Sequence, residues 1–230
     1  MVRTNRHSRV TSDDGACTET RGTDAQKKTR RATERERADI VERREAFRKR
    51  LETAVFEKIV YIDEFGVNLA MAPRYAWSPK GERAIGYAPG SRGTNISVVA
   101  AVRADGVLAW RAWDGSIDGD RFLEFMGDNV VAKIRPGDLV ILDNASIHGT
   151  DAVRAAVEKA GGCLVFIPPY HPEFNAAEEV FSFIKHHFRR AKPRCIVDLV
   201  RALQRIFSDL GLQRIWAFMR HALALTAQSK

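Results

Sequence analysis

Cysteine is scarce. The chain has three in 230 residues, Cys17, Cys163 and Cys195, with no CxxC spacing among them. An odd, scattered set supports neither a disulfide framework nor a structural zinc site, and it fits a reducing cytoplasm. Long apolar runs are missing too. No stretch approaches the ~18 uncharged apolar residues of a membrane span, and the N-terminal MVRTNRHSRV is basic without the apolar core of a secretory signal. There is no internal repeat. Residues 1–26, rich in Ser, Thr, Asp, Gly and Arg, lack hydrophobic periodicity and are expected to be disordered.

Acid is also short at both ends of the chain. Residues 1–50 carry 15 Lys and Arg against 9 Asp and Glu, and residues 185–230 carry 10 against 2, whereas residues 51–184 carry 12 against 18. An acidic middle between basic flanks suits a protein that holds a polyanion with its ends and tolerates its own central charge through a cation. Solvated basic helices explain the charge alone equally well. The 45% hydrophobic content leaves room for one sizeable core plus appendages.

What is present centres on DLVILDNASIH, residues 138–148. Leu139 to Leu142 is apolar on both faces and follows a Pro136-Gly137 turn, which predicts a short buried strand ending at Asp143. Ligands of open α/β sheets bind at the carboxyl ends of strands. Asp63 closes a similar run, Ile59 to Ile62, in KIVYIDEFG, and Glu178 opens a helix after FIPPYHPEFN. Three carboxylates, two on strand ends and one on a helix, can bind hard divalent cations through oxygen alone.

The rest of the chain reads as a basic amphipathic helix over about 33–57, within a basic linker spanning 27–57. Strands follow at Lys58–Asp63, Tyr75–Trp77, Thr94–Val102 and Val107–Trp113, the last two joined by an Asp105-Gly106 hairpin turn. A helix capped by Asp118 or Asp120 runs to about Ile134, and another covers about 151–160. Cys163–Ile167 makes a further strand, and the β-α-β alternation implies parallel pairing. Beyond the proline-rich turn the chain reads as helical, so residues 58–225 form an α/β domain with a mixed sheet and a helical end.

In the helix beginning near Asn175, Phe174, Ala177, Phe181, Ile184 and Phe188 cluster on one face. At ~100° per residue Glu178 lies roughly 80° from the centre of that face and Glu179 roughly 180° from it, so Glu178 can reach a site at the sheet edge and Glu179 points to solvent. First-turn acids favoured by the helix dipole would explain both equally well. Lys185, Arg189, Arg190, Lys192 and Arg194 follow as candidate DNA-backbone contacts. Asn144 could orient a water or a carboxylate, and His148 could contact phosphate, although a turn Asn and a structural His are the plainer readings. His186 and His187, adjacent on a helix, diverge by ~100° and do not converge on one ion. Trp77, Trp110, Trp113 and Trp216 read as core or as base-stacking residues alike.

KIVYIDEFG, LDNASIH and FIPPYHPEFNAAEEVFSFIK, in that order, resemble the catalytic domain of DDE-superfamily transposases of the mariner-related bacterial insertion-sequence type, from about Lys27 to His221. The resemblance implies a ribonuclease H-like fold with a mixed five-stranded sheet flanked by helices. It implies Asp63, Asp143 and Glu178 as catalytic residues and ligands of two Mg²⁺ (or Mn²⁺) ions, with 34 residues between the last two. It also implies double-stranded DNA as partner, namely terminal inverted repeats and target DNA with TA dinucleotides, a homodimer assembled on that DNA, and a cytoplasmic, nucleoid-associated place. Family members read close to PPYSPDLNPIEE in the last block. Here His171, Glu173, Ala176 and Ala177 replace Ser, Asp, Pro and Ile, which predicts a more flexible turn before Glu178. The family's N-terminal helix-turn-helix region needs about three helices, so residues 1–26 are expected not to supply it and the chain is expected to be a truncated or frameshifted copy.

The chemistry matches these residue types. Phosphodiester cleavage needs an activated nucleophile and charge relief on the leaving oxygen, which two ions about 3.5–4 Å apart can provide. Mg²⁺ takes octahedral oxygen ligands and requires no Cys or His. In such a site Asp143 would be shared by the ions while Asp63 and Glu178 would complete the separate shells, and the freed 3′-OH would then attack target DNA by the same in-line displacement. A catalytically idle DNA-binding remnant is the alternative, and a hydrolase of small phosphate esters is a third reading that leaves the basic tail unexplained.

Overall fold

The structure, a computed structural model, describes residues 32–91, 93, 95–144 and 151–228. The expectations for residues 1–31 and for His148 lie outside them. All the described residues belong to one compact unit beginning at Ala32.

Five strands make one sheet in the order β3-β2-β1-β4-β5. They are β1 (Ile59–Val67), β2 (Ile96–Arg103), β3 (Gly106–Asp114), β4 (Leu139–Leu142) and β5 (Cys163–Phe166). The first three pair antiparallel, whereas β4 and β5 run parallel to β1. The hairpin between β2 and β3 closes at Gly106, whose φ of 140° is open to glycine without steric cost. Both faces of the sheet are covered, which is why β4 is apolar throughout. On one face Ile59, Tyr61, Phe65 and Val67 pack with α1 (Ala38–Glu52), α4 (Ala176–Ala191), α5 (Ile196–Asp209) and α6 (Leu212–Gln228). On the other, Val60 and Ile62 pack with α2 (Gly119–Phe125), the turns after it and α3 (Asp151–Lys159). No described helix is long and apolar enough to cross a membrane.

The end of the sheet away from Asp143 is pinned by buried charge. Arg103 donates to Asp138 at 2.9 Å and to both oxygens of Asp105 at 2.8 and 3.0 Å. Asp138 also accepts from the Arg135 amide at 2.9 Å. Asp105 is held below the usual carboxylate range by its hydrogen bond from Arg103, against the effect of burial.

Several expected elements are redrawn. β1 does not stop at Asp63: the antiparallel partner β2 carries it to Val67, and Phe65 and Val67 continue the buried alternation. Asp63 is therefore mid-strand, opposite Ala100. Tyr75–Trp77 is not a strand. It lies in the irregular connection between β1 and β2, with Tyr75 and Trp77 almost fully exposed. The basic helix over 33–57 is broken, because Thr33–Glu36 forms a single 3-10 turn, Arg37 is extended and only Ala38–Glu52 is α-helical. A tertiary contact of Arg35, described below, diverts the chain there. The helix capped by Asp118 widens after Phe125 into a π turn, Met126–Val130, which keeps both of those residues in the core.

Candidate active site

α4 forms where it does because Asn175 caps it. The Asn175 side-chain oxygen accepts from the Ala177 amide at 3.0 Å, after a short 3-10 turn, Pro172–Phe174. The helix ends at Lys192, which adopts a left-handed conformation ahead of Pro193. Its buried stripe of Ala177, Val180, Phe181, Ile184 and Phe188 fastens it to the sheet. Each large side chain in that stripe contributes about 1.5–3 kcal/mol. Phe181 lies 4.4 Å, centroid to centroid, from Phe65 of β1, so the first turn of α4 is fixed beside Asp63.

The other end of the Asn175 side chain reaches the sheet. Its Nδ2 donates to Asp63 Oδ2 at 2.8 Å, while Asp63 Oδ1 accepts from the Glu64 amide at 2.7 Å. Asp63 is 9% exposed and Asn175 4%, so this is a desolvated, charge-assisted contact. β1 and β4 pair in parallel through Tyr61 and Ile141. Asp63 and Asp143 each follow two residues later, which puts both acids at the same level of neighbouring chain segments.

Glu178, in the first turn of α4, completes the group. It borders two open clefts. One, of about 440 Å³, also presents Asp143, Asn144 and the Pro168–Pro172 turn. The other, of about 390 Å³, presents Asp63, Glu64, Ser182, Lys185 and Arg189. Partial burial raises the Glu178 pKa above the usual carboxylate value, Lys185 opposes this, and the charges of Asp143 and Glu173 add to it. Glu178 and Asp143 therefore sense one another. Glu179 lines neither cleft, and it lies at the surface, partly exposed. It contacts His221 Nδ1 of α6.

The basic candidates separate by position. Lys185 and Arg189, 7 and 11 residues beyond Glu178, share its face of α4 and line the cleft with Asp63. The Lys185 ammonium also sits 5.6 Å from the Phe65 ring centre. Arg189 continues, with Arg190 and His186, into a neighbouring cleft against Arg74 and Tyr75. Lys192, at the helix C-cap, and Arg194 are exposed and line none of these clefts. His187 packs on Phe183 instead of turning toward an ion. Asn144 is exposed at the mouth of the Asp143 cleft. Of the tryptophans, Trp110 stacks on Phe207, Trp113 meets Phe125 and Trp216 meets Phe56.

The turn before Glu178 is braced, contrary to the flexibility its replaced residues predict. Arg35, 5% exposed, donates to Glu173 Oε1 at 2.7 Å and to the Tyr170 carbonyl at 3.3 Å. Tyr170 has a φ of 63°, a conformation that a non-glycine residue holds only when its surroundings impose it. His171 Nδ1 lies 3.2 Å from Glu173 Oε1, and its ring stacks on Phe174, which stacks in turn on Phe47 of α1. Burial pushes the His171 pKa down, helped by the Arg35 charge and against Glu173. The residues that replace the family's Ser and Asp thus form a new anchor.

The roles of Asn175 and Arg35 are only partly legible in the local sequence. An Asn directly before a helix is a legible cap signal, but its second bond to Asp63 is not, and nothing local marks an Arg in a polar segment as buried.

The donor set suits a hard divalent cation, since all three acids offer oxygen and the Asp143 charge helps to raise the Glu178 pKa, a repulsion that a cation relieves. Among the described residues no three His, Cys, Asp or Glu side chains surround a common point closely enough to form a ready-made ion site.

The sequence profile of the DDE superfamily endonucleases matches residues 58–200, from just before β1 into α5, and so takes in all three acids. The chain belongs to the DDE endonuclease superfamily. No curated protein matches it in sequence. The fold of this chain is that of the Mos1 transposase. Against the Mos1 strand transfer complex the TM-score is 0.74 at 17% identity, covering 89% of this chain and 65% of the Mos1 chain. Against the Mos1 mariner paired end complex with Mg it is 0.73 at 17% identity, with the same coverages. Against the Mos1 catalytic domain alone it is 0.63 at 14% identity, covering 86% and 94%. The chain thus has the mixed five-stranded, ribonuclease H-like fold, and it spans 65% of the longer Mos1 chains it matches.

Proposed function

We propose that this chain is the catalytic domain of a transposase that cleaves DNA strands at transposon ends and transfers them to target DNA, using two Mg²⁺ or Mn²⁺ ions held by Asp63, Asp143 and Glu178. The observation that carries the reading is the meeting of these acids, from β1, the end of β4 and α4, around two adjoining clefts, with Lys185 and Arg189 leading away along the same face of α4. The ions would supply Lewis-acid stabilisation of the attacking and leaving oxygens of an in-line displacement at phosphorus. The chain's own groups do the positioning. Asn175 fixes the Asp63 carboxylate through its amide, the braced turn sets the height of Glu178, and Lys185 and Arg189 can hold phosphates beside the scissile one. Asn144 is placed to orient a strand entering the Asp143 cleft. Mos1 is described in a paired-end complex with left transposon end and in a strand transfer complex, which supports DNA as the partner; assembly on it as a homodimer is part of the proposal.

A DNA-binding remnant without cleavage is the second reading, because Lys185 and Arg189 would hold phosphates whether or not cleavage follows. Nicking of a supercoiled plasmid with Mn²⁺ or Mg²⁺, compared with Asp143→Ala and with EDTA, decides between them. Cleavage by the wild type alone is expected. Equal nicking by the variant would end the site assignment, and binding without nicking by the wild type would leave the remnant.

A further inference from the structure

A second cationic cleft adjoins the acids on the side away from Lys185 and Arg189. Arg43 and Arg50 of α1 wall a groove of about 420 Å³ against the β5 edge, with Phe47, Val165 and Phe166 along it and Ile167–Pro169 opposite. Its mouth is Asn144. Asn144, Ile167, Pro168 and Pro169 also line the cleft of Asp143 and Glu178, so the two spaces are continuous. No carboxylate lines the groove. The arginines of α1 divide accordingly. Arg44 is buried and Arg48 pairs with Glu45 at 3.1 Å. Arg43 and Arg50 are exposed, and among the described residues neither pairs with an acid: the contact of Arg50 is to Cys163 Sγ at 2.8 Å, a weak acceptor. Seven residues apart on one helix face, their Cα atoms are ~10.5 Å apart, a span of about three nucleotides at 3.4 Å per step of one strand.

We propose that this groove carries the DNA strand on the far side of the scissile phosphate. Arg43 and Arg50 neutralise backbone phosphates there, and a sugar lies against Val165 and Pro169. The acids then sit at the midpoint of a track that enters over Lys185 and Arg189 and leaves over α1. The proposal rests on the transposase reading and adds the second half of its DNA path. Solvated arginines on a helix would not by themselves require an acid-free apolar channel leading to the catalytic acids.

The test is equilibrium binding, by fluorescence anisotropy across 50–200 mM salt, of the full chain to three duplexes. One carries the element's own terminal sequence across the cleavage position, and two stop at that position and extend to one side only. For the spanning duplex, R43A/R50A should reduce the slope of log K against log salt by about 1.8, or ~0.9 for each lost contact. It should weaken only one of the one-sided duplexes, and K185A/R189A should weaken the other. R43K/R50K should restore the slope, and R43Q/R50Q replaces the alanine variant if that one does not fold. An unchanged slope, or both double variants weakening the same one-sided duplex, would overturn the proposal while leaving the transposase reading intact. A wild type that binds none of the duplexes would overturn both.

Discussion

Asn175 is the side chain whose replacement should report most directly on how the site is held. It does two things at once: its oxygen caps α4 and its amide restrains Asp63 at 2.8 Å. Asn175→Ala removes both. A lost N-cap costs about 1 kcal/mol and a hydrogen bond to a charged group about 1.5–3, so roughly 2–4 kcal/mol in all when coupling is allowed for. At 2–4 °C per kcal/mol for a domain of about this size, the thermal midpoint should fall by roughly 5–15 °C. Asn175→Asp separates the two roles, because Asp caps as well as Asn but sets a carboxylate against Asp63. The pair then shares a proton, its folded pKa raised above the unfolded value. By linkage that stability is present below the unfolded pKa and lost as pH rises through the folded one. Relative to the wild type, the Asp variant should thus be more destabilised at pH 8 than at pH 5, and Mg²⁺ should recover more of its midpoint. Differential scanning calorimetry at both pH values, with and without Mg²⁺, measures this. An Ala variant that loses under 2 °C, or an Asp variant with the same deficit at both pH values, would refute the argument.

Three further outcomes follow from the same geometry. Asp138→Ala strands the buried Arg103 guanidinium, half of whose pairing it removes, and should cost about 3–5 kcal/mol in urea unfolding without altering Mg²⁺ binding at the far end of the sheet; a loss below 1 kcal/mol would mean that Asp105 suffices. Glu178→Gln should gain stability over the wild type as pH rises from 4 to 7, because a group with a raised folded pKa loses its stabilisation over that window; it should also lose Mg²⁺-dependent stabilisation and cleavage, whereas Glu179→Gln keeps both and loses only the His221 contact, and the reverse pattern in calorimetry and nicking would show that the helix is misassigned. Arg35→Ala should release the turn at Tyr170 and Glu173, lowering kcat at saturating Mn²⁺ at least tenfold with DNA affinity nearly unchanged, and an unaltered kcat would reduce the brace to a purely stabilising contact.

Local pattern determined a good deal here. Four consecutive apolar residues after Pro-Gly mark β4 and place Asp143 at its end, because a strand buried on both faces has no other composition. The apolar stripe of α4 orients Glu178 toward the sheet edge, since 3.6-residue periodicity fixes which face must be buried. The spacing of the three acids and the motifs around them carried the family. Tertiary structure decided what depends on distant partners. Asp63 lies mid-strand because β2, more than thirty residues on, pairs past it. Glu179 turns to His221, 42 residues away. The bond from Asn175 to Asp63 joins residues 112 apart, and that from Arg35 to Glu173 joins residues 138 apart. An amide or guanidinium in a polar stretch looks the same in sequence whether water or a buried carboxylate satisfies it, and only the folded chain chooses between the two.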